Sequence, residues 1–145
     1  MDKKLNDVEH VKELIDLATE AGLSGSMELL SMPTEDIAAN YNGIGPECLS
    51  EEGRRKLTKV FKFHEAACLI HDVVRFAKSD GTSARFNEAN DELERNGYIL
   101  ADFKCAWYNP MRYWHHRGAR IIAKACRVAG WSAWMDAYKA RTGKQ

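Results

Sequence analysis

At 145 residues, 45% of them hydrophobic, the chain is long enough for one domain with a real core and too ordinary in composition to be disordered or collagen-like. Its 21 basic residues balance its 21 acidic ones, which argues against strong nucleic-acid binding. No apolar run approaches the roughly 20 residues needed to span a bilayer, and the opening MDKKLNDVEH is too polar for a secretory signal, so the expected compartment is the cytoplasm.

Helical periodicity dominates, and no segment shows sustained strand alternation, so the expected fold is a single all-α domain over residues 1–145. In DVEHVKELIDLATEAG the residues Val8, Val11, Leu14, Ile15, Leu17 and Ala18 share one face, and Gly22 offers a stop. Pro33 and Thr34 open a short helix that delivers the chain to Tyr41. Asn42-Gly43 and Gly45-Pro46 then punctuate a loop, and Ser50 with Glu51 and Glu52 marks the start of a helix to about Phe61.

The central helix is expected over about 63–78, ending at Ser79-Asp80-Gly81. Ser83 should cap the next, ARFNEANDELERN, which pairs antiparallel with it and stops at Gly97. Beyond Tyr98 the chain is aromatic and basic, broken at Asn109-Pro110 and again at Gly130 before a last helix, WSAWMDAYKAR. From Lys104 onward nine Lys/Arg face a single acid, Asp136, an excess that neutralises the acidic part of the fold or lies on an anionic surface. Cys48, Cys68, Cys105 and Cys126 form no CxxC pair, which predicts free, buried thiols and excludes a zinc knuckle.

On an ideal helix His64, Cys68, His71 and Arg75 fall in one stripe beside the apolar faces, placing His71 at the border of a buried surface. An imidazole there can take a proton from water. Upstream, Gly43 and Gly45 lack Cβ atoms, so the carbonyls of Tyr41, Gly43 and Gly45 can converge on one cation, with Asp72 as the hard anionic oxygen.

YNGIGP, AACLIHD and ARFNEANDEL, in that order, resemble the calcium loop, catalytic His-Asp helix and second helix of phospholipase A2 enzymes, most of all the short disulfide-free version embedded in parvovirus capsid proteins. The resemblance covers about residues 41–98. It implies a hydrolase with calcium as cofactor and a phospholipid membrane surface as substrate. It makes His71 the base that activates water, and Asp72 with the carbonyls of Tyr41, Gly43 and Gly45 the calcium ligands. Arg75 stands where the family usually has a tyrosine. Matching the family's Ala-Asp-x-x-Phe pattern puts Asn90, which shares the inward face with Phe86, Ala89 and Leu93, at the position of the orienting acid. A carboxylate stabilises an imidazolium better than an amide does, which favours Asp91 as the orienting residue.

Two other readings use the same residues. The His-Asp pair faintly resembles the HD phosphohydrolases, with His10 or His64 as an upstream transition-metal ligand and Asp91 or Asp102 as a later one. Alternatively the segment from Trp107 to Trp131, which interleaves aromatics with Arg112, Arg117, Arg120, Lys124 and Arg127, makes a non-enzymatic module for lipid headgroups or single-stranded nucleic acid.

Overall fold

The computed structural model describes residues 3–41, 52 and 58–143. Its elements are α1 (Lys3–Ala21), α2 (Ser26–Leu30), α3 (Thr34–Asn40), α4 (Thr58–Phe63), α5 (Glu65–Leu69), α6 (Ser83–Lys104), α7 (Met111–Ala129) and α8 (Trp131–Thr142). Between α5 and α6 the chain continues as a π-helical turn, Ile70–Arg75, and a 3₁₀ turn, Phe76–Lys78. No strand occurs among the described residues, so the fold is all-α.

In α1 the periodic residues Val11, Leu14, Ile15 and Ala18 form the buried stripe. The helix closes with a Schellman motif: Leu23 N–H reaches the Ala18 carbonyl at 3.0 Å and Gly22 N–H reaches Thr19 at 3.2 Å. Gly22 adopts φ +74°, a conformation that glycine enters without steric cost. The turn that follows is tied to α6 through Asn96, whose side chain accepts from Ser24 N–H at 2.8 Å and donates to the Ser24 carbonyl at 2.9 Å.

The central segment differs from one regular helix. It breaks at His64 between α4 and α5, and it widens into a π turn at Ile70. Every residue from His64 to Val74 is buried, packed by α1, α2 and α6 and bonded at His64 to α7. His71 is therefore 1% exposed and sits inside the core, not at its border. The expected stripe is also undone: the break and the π turn rotate His64 toward α7 and His71 toward α6.

Thr82, one residue before the expected cap, starts α6 by accepting from Arg85 N–H at 3.3 Å. The helix passes through Gly97 and continues to Lys104. Gly97 is there for packing: a Cβ on it would lie 2.4 Å from the Ala119 Cβ of α7. The antiparallel α6/α7 pair is accordingly the most extensive helix contact of the fold, exceeding that between the central segment and α6. Gly130 separates α7 from α8, and α8 inserts Trp134 between Phe76 and Phe86, with its indole N–H donating to the Thr82 carbonyl at 3.0 Å.

Cys68 and Cys105 are free and buried as expected. Cys126, fully buried on α7, is instead disulfide-bonded, a pairing set by distance in the fold that irregular sequence spacing does not reveal.

Candidate functional site

Helix α6 presents Phe86, Ala89, Asn90 and Leu93 inward, all at most 5% exposed, so Asn90 meets His71 in the core. His71 Nε2 lies 2.8 Å from Asn90 Oδ1, and His71 Nδ1 lies 3.3 Å from Asp72 Oδ1. With the amide oxygen accepting, Nε2–H donates to Asn90, which fixes the orientation of the ring. The ring packs at 4.4 Å against Phe76, which Trp134 backs in turn, so aromatic side chains fix the imidazole plane.

Asp91 takes no part in this contact. One residue further round α6, its carboxylate is 64% exposed and accepts from Arg127 at 2.8 Å, while Arg127 also reaches Glu94. Of the two sequence candidates for orienting His71, the fold brings up the amide and turns the carboxylate to the surface.

Arg75 leaves the neighbourhood of His71 altogether. Its guanidinium binds Glu92 through Nε and Nη2, both at 2.8 Å, and approaches Glu28 at 3.5 Å. Glu92 also accepts from Ser24 at 2.7 Å. Hydrogen bonding to Glu92 is the main cause that raises the Arg75 pKa above its ordinary value. Arg75 thus lines a polar cleft on the α6 side, away from the cleft on which Asp72 opens.

That second cleft, about 570 Å³, is walled by Met32, Ile37, Val73, Phe76 and alanines of α8, with Asp72 and Asp136 as its acids. Apolar walls around a few polar groups are the usual make-up of a small-molecule site. Asp72, 9% exposed, connects this cleft to the buried imidazole.

Glu65 was not singled out by the sequence reading, yet it organises the approach to the site. It is 8% exposed and accepts from Tyr41 Oη and from His10 Nε2, both at 2.7 Å, linking α1 and the end of α3 to the central segment. Burial, then the Glu65 carboxylate, push the Tyr41 hydroxyl well above its ordinary pKa, and Asp72 adds a smaller effect. Burial, with Asp72 and Glu65, likewise raises the Cys68 thiol and keeps it unreactive. The signal in the sequence is a second carboxylate inside the buried run HEAACLIHD, one heptad before Asp72.

The central segment thus carries two nearly buried carboxylates, Glu65 and Asp72, with the Tyr41 hydroxyl donating to the first. Oxygen donors of this kind suit a hard cation. Gly43 and Gly45 lie outside the described residues. No group of three or more His, Cys, Asp or Glu suited to a metal occurs among the described residues, so a metal here would rely on backbone carbonyls beside Asp72.

The residues of the phosphohydrolase alternative each have a separate engagement. His10 binds Glu65, His64 Nε2 donates to the His115 carbonyl at 2.8 Å, and Asp102 accepts from Arg112 and His116. Burial lowers the His64 pKa to about 4, against the smaller opposing effect of its bond to His115, so His64 is a neutral core residue. No protein-family model, curated protein or solved structure matches this chain.

Proposed function

We propose that this chain is a slow, calcium-dependent hydrolase of phospholipid esters, with His71 as the base and Asn90 as the group that orients it. The observation that supports the reading most is the contact of His71 Nε2 with Asn90 Oδ1 at 2.8 Å, made where Asp72 joins the imidazole to an apolar cleft. In this reading the cleft takes the acyl chain, and Nδ1 removes a proton from the water that attacks the ester carbonyl. The same nitrogen returns that proton to the departing glycerol oxygen, releasing a lysophospholipid and a free fatty acid. Calcium, held by Asp72 and the carbonyls of Tyr41, Gly43 and Gly45, would supply the positive charge that stabilises the oxyanion.

The amide accounts for slowness. Asn90 fixes the imidazole tautomer but offers no negative charge to the imidazolium formed during reaction, which a carboxylate in its place would stabilise. Arg75 does not line the acyl cleft, so it leaves substrate entry open.

The test is fatty-acid release from phospholipid vesicles by the wild type and His71→Gln, each with calcium and with chelator. Calcium-dependent release that His71→Gln reduces to background is expected. Release that survives the substitution would refute the role of His71.

A further inference from the structure

A second surface, unconnected to His71, carries its own chemistry. The turn between α6 and α7 projects Trp107 and Tyr108, 82% and 74% exposed, from one end of the molecule. Phe103, Met111 and Trp114 flank them, each about half exposed, and Ile121 extends the face along α7. A contiguous aromatic and aliphatic surface of this kind needs a partner. It lies about 20 Å along α6 from Asn90 at 1.5 Å per residue, so it is no part of the candidate active site.

Its charge identifies the partner. No Asp or Glu occurs anywhere from Phe103 to Met135. Arg117 lies over the Trp114 ring, 5.7 Å from its centroid, and Lys104 lies 4.6 Å from the Phe63 centroid. Arg117 also borders a shallow cleft of about 380 Å³ formed with Val60, Trp114, Gly118 and Ile121, apolar but for this one cation and His115.

Projecting tryptophan and tyrosine with aliphatic side chains and cations beside them make up a surface suited to the headgroup boundary of a bilayer. A second copy meeting this face through the same face would set cations against cations. Single-stranded nucleic acid prefers open ring faces in a basic groove, whereas here Tyr108 packs edge-on to Trp107 and Tyr113 edge-on to Trp114. We infer that the end of the α6/α7 hairpin, with Trp107, Met111, Trp114 and Arg117 at its centre, docks on membranes rich in anionic phospholipid. The docking needs neither His71 nor calcium.

The experiment is co-sedimentation of the full chain, in chelator, with vesicles of phosphatidylcholine alone or mixed with phosphatidylglycerol. Binding to the mixed vesicles, at least tenfold stronger than to phosphatidylcholine, is expected. It should fall tenfold or more in Trp107→Ala/Trp114→Ala and in Arg117→Glu, variants of exposed side chains whose helicity is checked by circular dichroism. Trp131→Ala, on α8, should bind as the wild type does. Absence of binding to mixed vesicles, equal binding to both vesicles, or binding indifferent to Trp107, Trp114 and Arg117 would overturn the inference. So would binding of a single-stranded oligonucleotide, or self-association, that depends on these residues while vesicles are ignored.

Discussion

Asn90 and Asp91 are neighbours on α6 with opposite surroundings, one buried against His71 and the other paired with Arg127 at the surface. The helical period made this legible, since Asn90 shares the inward face with Phe86, Ala89 and Leu93, while an argument from chemical preference alone pointed to Asp91. Geometry decides because a side chain can orient only what it reaches. Asn90→Asp should therefore raise hydrolysis at least tenfold by placing a carboxylate on the imidazole, and Asp91→Ala should leave it within about twofold, in the release assay. A rise absent in the first variant, or a large loss in the second, would assign the orienting role elsewhere. His64 makes a separate prediction from its pKa of about 4, below the ordinary 6.5. Between these values the unfolded chain binds a proton that the folded chain does not, so the stabilisation is full above pH 6.5 and is lost as pH falls toward 4. The loss is about 3 kcal/mol. Urea unfolding at pH 7 and pH 4.5 should show a smaller decline in His64→Gln than in the wild type; equal declines would contradict the assignment.

At the scale of elements, periodicity revealed the helices and their apolar faces, but not what each glycine does. Gly22 ends α1 as its position predicts, whereas Gly97 lies inside α6 because the Ala119 Cβ of α7 packs too close for a side chain. A single sequence carries the same letter for both uses, and only the neighbour distinguishes them. Gly97→Ala should cost about 1–2 kcal/mol, overpacking against Ala119 outweighing the roughly 1 kcal/mol gained in helix propensity. Adding Ala119→Gly should restore part of that loss by vacating the contacted Cβ. Thermal unfolding of the two variants checks this, and additive losses would contradict it. The π turn was not legible either: it brings both His71 and Asp72 into the interior, where a regular helix would have left His71 at a border. Glu65 was missed because its partners, His10 and Tyr41, lie 55 and 24 residues away in sequence.

For the whole molecule, the balanced charge proves to be partly internal. Arg127 pairs with Asp91 and Glu94, and Arg112 with Asp102, so cations of α7 neutralise acids of α6. Lys104 and Arg117 add positive charge beside the exposed aromatic end. Helices α1 and α8 hold the candidate site from two sides: α1 through His10 on Glu65, and α8 through Trp134 on Phe76. No helix among the described residues is long and apolar enough to cross a membrane. The central claim, a calcium site at Asp72 serving His71, is tested most directly by calorimetric titration of metal-free wild type and Asp72→Asn with calcium and then manganese, with fatty-acid release followed in the same buffers. The account predicts calcium binding by the wild type, weakened at least tenfold in Asp72→Asn, with release that tracks it. Silence toward calcium, or binding of manganese alone, would contradict it.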